Sequence, residues 1–180
     1  MQLTNQQTLP VGQAQAWEAL NDIALLQSAI PGCESITATG EHEYEALVVA
    51  AIGPVKAKFK GKLRLDKLQP PTSYTLVFEG QGGAAGHGKG HADIRLEPQD
   101  AHTTVLHYTA HASVGGKIAQ IGSRLVDMAA QKMATEFFES FNQRLQERYP
   151  AALPPAAAPA AAPASWWARL AAFFRRLFGG

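Results

Sequence analysis

Cysteine is almost missing from this chain: Cys33 is the only one in 180 residues. It has no partner for an internal disulfide, which fits a reducing compartment. An excess of one charge is missing too. Sixteen Lys and Arg stand against fifteen Asp and Glu, and a net charge of +1 argues against a protein built mainly to hold nucleic acid. No apolar run reaches the ~18 residues of a candidate spanning helix. The start, MQLTNQQTLP, lacks the basic and apolar regions of a secretory signal, so a cytoplasmic protein is expected.

The signatures of catalysis are equally thin. No Ser/His/Asp or Cys/His arrangement can be placed, and no phosphate-binding loop is present. Gly80, Gly82 and Ala85 have the spacing of a dinucleotide fingerprint, but no strand–helix–strand context follows, which excludes that use. Cys33 reads as a small buried residue rather than a nucleophile. No catalytic residue, metal ligand or resident cofactor is assigned, and a non-enzyme is expected.

What is present is a clear order of periodicities. Gln2–Pro10 reads as a first strand, followed by two short helices, Gln13–Leu20 and Asp22–Ala29, the second capped by Asp22. Tyr44, Ala46, Val48, Ala50 and Ile52 alternate up to the turn signal Gly53-Pro54. Val55–Leu65 then alternates apolar residues with Lys56, Lys58, Lys60, Lys62 and Arg64, the period of a strand with one dry face. Thr72–Glu79, Gly88–Glu97 and Thr103–Val114 continue the pattern, with Pro98–Asp100 as a turn, and the links are too short for crossover helices. From Lys117 the spacing changes to three to five residues, which predicts one amphipathic helix over 116–148, about 50 Å long.

The expected architecture is therefore α+β: a curved antiparallel sheet wrapped around a long C-terminal helix, filling residues 1–149. Gly86, Gly88 and Gly90 share the inward face of Ala92, Ile94 and Leu96, and side-chain-free positions there predict a hydrophobic cavity. Its expected walls are Tyr44, Val48, Phe59, Phe78, Ile94, Leu106 and Tyr108 from the sheet. Ile121, Leu125, Met128, Met133 and Phe137 come from the long helix, with Leu26 and Ile30 at the mouth.

Five stretches in order, IPGCESI, GPVKAKFKGKLRL, GKGHADIRL, VGGKIAQIGSRLV and FFESF, resemble the CoxG family of carbon monoxide dehydrogenase proteins over residues 1–148. That family belongs to the START/SRPBCC helix-grip superfamily. The resemblance implies a non-catalytic accessory of a molybdenum hydroxylase or related respiratory oxidoreductase. Such proteins are linked to membrane attachment of the enzyme and to carrying quinone between enzyme and membrane. The cargo implied is a quinone or other apolar lipid, whose carbonyl Tyr44 or Tyr108 could meet with a hydroxyl. A recruiter or maturation factor without ligand transport is the alternative.

Residues 150–164, PAALPPAAAPAAAPA, hold five prolines and read as an Ala/Pro-rich spacer. Residues 165–180 then concentrate aromatics. On a helical wheel Trp166, Trp167, Leu170, Phe173, Phe174, Leu177 and Phe178 fall on one arc, and Arg169, Arg175 and Arg176 on the other. A helix of ~14 residues is ~21 Å long and too short for a ~30 Å hydrocarbon core. It is expected to lie on an anionic membrane surface at the inner face, aromatic side down; a partner protein's groove is the other candidate.

Two outer-face features complete the reading. The Lys56–Arg64 row either meets an acidic partner or membrane or is an ordinary solvated strand face. If Leu96 pairs with His102, His91 faces His107 and His87 faces His111. Two imidazoles bind a metal only weakly, so these are expected to be solvated histidines.

Overall fold

The computed structural model describes residues 1–150. The spacer from residue 151 onward and the 165–180 segment, with all its expected membrane-binding residues, lie outside the described residues.

The element order is β1 (Gln2–Leu9), α1 (Gln13–Leu20), α2 (Ile23–Ala29), β2 (Cys33–Gly40), β3 (Glu43–Ile52), β4 (Val55–Gln69), β5 (Ser73–Gln81), a 3-10 turn (Gly83–Ala85), β6 (His87–Asp100), β7 (Thr103–Gly115), α3 (Lys117–Gln120) and α4 (Ser123–Arg148). The strands form one antiparallel sheet in the order β1-β7-β6-β5-β4-β3-β2. The fold is the α+β helix grip expected from the periodicities.

Four details differ from the sequence reading. Strand β2 is an addition: only Ile36 of its eight residues is buried, so it carries little apolar alternation. The 116–148 helix is two helices, because Gly122 at φ +97° sits in a conformation that side chains other than glycine rarely adopt. The β6–β7 hairpin turns at Ala101–His102 rather than at Pro98–Asp100, since both strands run to the turn. Its register pairs Leu96 with Leu106, so His91 faces His111, Arg95 faces His107, and His87 faces Gly115.

The outer face of β4 is a ladder of ion pairs. Lys58 Nζ lies 2.7 Å from Glu34, Lys60 3.0 Å from Glu45, Lys62 3.7 Å from Glu79, and Arg64 Nε 2.9 Å from Asp66. Acidic residues on β2, β3, β5 and β4 itself thus partner most of the basic row. Each exposed pair contributes little to stability, but together they leave less free charge for an outside partner than the sequence implied.

The core gathers at one end of α4. Phe141 and Leu145 are fully buried against Leu9, Leu96 and Leu106 of the sheet and against Ala16, Ala19, Leu25 and Ala29 of α1 and α2. A side chain of that size contributes ~1.5–3 kcal/mol when fully buried. Beside them Arg148 binds the Glu18 carboxylate at 3.0 Å and the Asp22 carboxylate. Asp22 also caps α2, its Oδ1 accepting from the Leu25 amide at 3.0 Å. The other end of α4 buries Val126 but leaves Leu125 41% and Met128 57% exposed.

The Leu25 amide first, then Arg148, hold the Asp22 carboxyl below its ordinary value of 3.8. A depressed folded pKa means stabilisation that is complete above the unfolded value and is lost as pH falls through the folded one. Asp22→Asn, which keeps a good cap but removes the charge, is expected to lower stability at pH 7. The deficit should shrink as pH falls below about 3.8, measured by denaturant unfolding of both proteins across that range.

Candidate functional site: an apolar cavity under the sheet

Strand alternation sends every second side chain toward the helices, and the register decides which of them meet. Tyr44 on β3 lies opposite Leu63 on β4, and Leu65 pairs with Leu76, which pairs with Ala92. Ile94 lies opposite Tyr74 on one side and Tyr108 on the other. These residues, with Ile36 of β2 and Leu106 of β7, form the floor of a cavity of about 300 Å³. Leu20, Asn21, Ile23, Leu26 and Ile30 wall it from α1, α2 and the residues flanking them, and Phe137 and Phe138 roof it from α4. That volume is at the lower end of the ~300–1,000 Å³ usual for small-ligand sites.

Aromatic packing keeps the roof rigid. Tyr108 stacks on Phe138 with ring centres 5.5 Å apart, Phe137 meets Phe138 edge-on at 5.0 Å, and Phe137 stacks on Phe141 at 5.4 Å. Trp17 meets Tyr74 edge-on at 5.6 Å. The core thus reaches directly into the cavity wall through Phe141. Such contacts add ~0.5–1.5 kcal/mol each beyond burial.

The polar side chains in the wall are Asn21 and the three tyrosines. The Asn21 amide is occupied, donating to the Trp17 carbonyl at 2.8 Å. Burial pushes the Tyr74 hydroxyl well above the ordinary tyrosine range and pushes Tyr108 up as well. Both are neutral hydrogen-bonding groups, not bases. Among the described residues no carboxylate, histidine, cysteine or serine lines this cavity. It can hold an apolar molecule and address one or two polar atoms on it.

Seven expected wall residues come together here: Leu26, Ile30, Tyr44, Ile94, Leu106, Tyr108 and Phe137. The other seven lie outside the cavity. Val48 and Phe59 face each other further along β3 and β4. The Phe59 ring fills the space beside Gly82, where an added Cβ would stand 2.4 Å from it. Phe78 packs over Gly90 in the same way, at 2.9 Å. Ile121 and Leu125 lean on Gly53 at the β3–β4 turn. Met128 is exposed and Met133 half-buried on the N-terminal half of α4. α4 is seated in the core by its C-terminal half, so the enclosed space lies under Phe137 and Phe138 rather than under the methionines.

The inward glycines do not make the cavity. A Cβ on Gly90 would stand 2.0 Å from the His111 carbonyl oxygen, and one on Gly86, at φ +115°, 2.1 Å from that of Gly115. They permit close approach of β7 and of the Phe78 ring. Ala92, opposite Leu76 on one side and Ala110 on the other, is the small side chain on the cavity floor. Ten lining residues go beyond the sequence reading, Leu63, Leu65, Tyr74, Leu76, Ala92 and Phe138 among them. Carrying Tyr44 across the Gly53-Pro54 turn to Leu63 would have found the first of these.

Among the described residues no helix is long and apolar enough to cross a membrane, and no three His, Cys, Asp or Glu side chains gather as a metal site.

Comparison with known proteins bears on this site. The family model described as CoxG, the G-type subunit of carbon monoxide dehydrogenase, matches residues 6–146. No curated protein matches the chain. Among solved structures, a conserved protein from Geobacillus kaustophilus is 30% identical, with a TM-score of 0.77 over 82% of this chain and 96% of that one. A START superfamily protein from Mycobacterium smegmatis is 9% identical, with a TM-score of 0.65 over 82% and 98%. The ZhuI aromatase/cyclase from Streptomyces sp. R1128 is 13% identical, with a TM-score of 0.63 over 84% and 96%. The last two show likeness of fold alone.

Replacing Ala92 by Leu is expected to fill the cavity from its floor. Binding of an apolar fluorescent probe such as N-phenyl-1-naphthylamine should weaken roughly tenfold, about 1.4 kcal/mol. The melting temperature should change little, because the new side chain enters empty space. Fluorescence titration beside thermal unfolding checks both.

Proposed function

This chain belongs to the CoxG family of carbon monoxide dehydrogenase proteins, and on that premise we propose that it is a non-catalytic carrier of a quinone or similar apolar lipid, serving a CO dehydrogenase-type molybdenum hydroxylase or related oxidoreductase at the membrane. The cavity carries the proposal. Its wall is hydrocarbon and aromatic carbon, interrupted by the Asn21 amide and three tyrosine hydroxyls, of which Tyr74 and Tyr108 are held neutral by burial. A quinone ring is flat, apolar on both faces and edged by two carbonyl acceptors. Stacking beside Phe137, Phe138 and Tyr108 suits the faces, and a hydroxyl of Tyr44, Tyr74 or Tyr108 donates to a carbonyl. About 300 Å³ admits a head group with a short piece of tail.

A wall of hydrocarbon and aromatic carbon with a few polar atoms supports binding of an apolar molecule. The tail supplies the membrane half of the proposal. On a helical wheel the sequence of 165–180 separates aromatics from three arginines, which suits an anionic interface, and the proline-rich sequence before it suits a spacer.

Trp17 reports on the cavity through Tyr74. In a variant with Trp166 and Trp167 replaced by Phe, a short-chain naphthoquinone is expected to quench Trp17 fluorescence saturably, and Tyr108→Phe to weaken binding several-fold. Absence of saturable quenching would remove the carrier and leave the recruiter. Separately, the full chain should float with vesicles containing anionic lipid, and deletion of residues 165–180 should abolish flotation. If the full chain stays behind, membrane attachment is wrong whatever the cavity holds.

A further inference from the structure

The outer face of the sheet carries a contact that the cavity does not use. His91 on β6 and His111 on β7 are direct cross-strand partners, with ring centres 5.2 Å apart and planes 29° from parallel. The remaining histidines are placed differently: His42 lies by Glu41, His107 is 3.1 Å from Glu97, His87 packs over Gly115, and His102 sits in the β6–β7 turn. Val77 of β5 stands next to His91 in the same row, and Gln2 of β1 next to His111. Along the strands the same-face neighbours are Lys89 and Asp93 beside His91, and Thr109 and Ser113 beside His111. The Asp93 carboxylate already accepts from the Thr75 hydroxyl at 2.7 Å.

We propose that His91 and His111 chelate a late first-row transition-metal dication on the outer face of the sheet. Two imidazoles bound to one ion at ~2.0–2.1 Å per bond hold their ring centres about 4.5 Å apart at the right angle of a tetragonal Cu²⁺ site and about 5 Å apart at a tetrahedral angle. The strands already set that separation. What remains is rotation of each ring about χ2, a broad torsion, and both rings border the solvent-filled groove on this face. Backbone register therefore preorganises the pair, and chelation costs little ordering. Among the described residues no third His, Cys, Asp or Glu joins the pair, so water holds the remaining positions. Two neutral nitrogen donors favour Cu²⁺ over Ni²⁺ and Zn²⁺ in the usual order of stability. The site lies on the face of the sheet opposite the cavity and stands whether or not a quinone binds.

The test uses the untagged full chain with each metal chloride alone at pH 7.5. Calorimetry is expected to show one Cu²⁺ per chain, bound more tightly than Ni²⁺ or Zn²⁺. His91→Ala and His111→Ala should each weaken it at least tenfold, while His87→Ala and His102→Ala leave it unchanged. Electron paramagnetic resonance of the Cu²⁺ protein should show coupling to two imidazole nitrogens. Acid should release the metal, since protons compete for the same lone pairs. Copper binding that survives the double replacement of His91 and His111, a spectrum with fewer than two nitrogen ligands, or no binding at all would each overturn the proposal.

Discussion

The structure depends on how α4 is fastened. An antiparallel sheet with one apolar face must be covered, and a single helix is the cover. The seating of that helix is uneven. Phe141 and Leu145 are fully buried, and Arg148 locks the C-terminal end to Glu18 and Asp22. Toward its start Val126 alone is buried, and Leu125 and Met128 are exposed. Enclosed space remains just beyond the C-terminal fastening. That is where Phe137 and Phe138 roof the cavity.

The same unevenness explains what could be read from the sequence and what could not. Alternation along Val55–Leu65 and the three-to-five spacing of Phe137, Phe141 and Leu145 carry the sheet and the helix, because burial imposes those periods. Tyr44, Ile94, Leu106, Tyr108 and Phe137 follow as inward residues. Which inward residues enclose empty space is a different question. Val48, Phe59 and Phe78 point the same way as Tyr44, yet they pack over Gly82, Gly90 and one another. That outcome depends on where α4 rests, and its resting place is set by contacts far apart in the chain. Strand β2 is hard to see in the sequence because an edge strand with one buried side chain has almost no apolar period. The break at Gly122 is disguised by the continuing apolar spacing on both sides of it.

The two faces of the sheet divide the chemistry. The inner face is apolar and keeps Tyr74 and Tyr108 neutral, so it can hold an uncharged guest. The outer face is ionic and self-neutralising, with β4's cations met by Glu34, Glu45, Glu79 and Asp66. Small register differences matter there. A change in the β6–β7 register exchanges a His91–His107 pair for the stacked His91–His111 pair that exists. Loop length at Ala101–His102, not composition, decides which histidines meet.

The central claim is that the molecule is hollow where α4 leaves its fastening, and that the hollow is apolar. A dry apolar void takes up xenon, whereas a filled core does not. A crystal structure determined under xenon pressure tests this most directly. Xenon density bounded by Ala92, Ile94, Tyr108 and Phe138 is the expected result. Those same side chains collapsed onto one another, with no xenon between them, would contradict it.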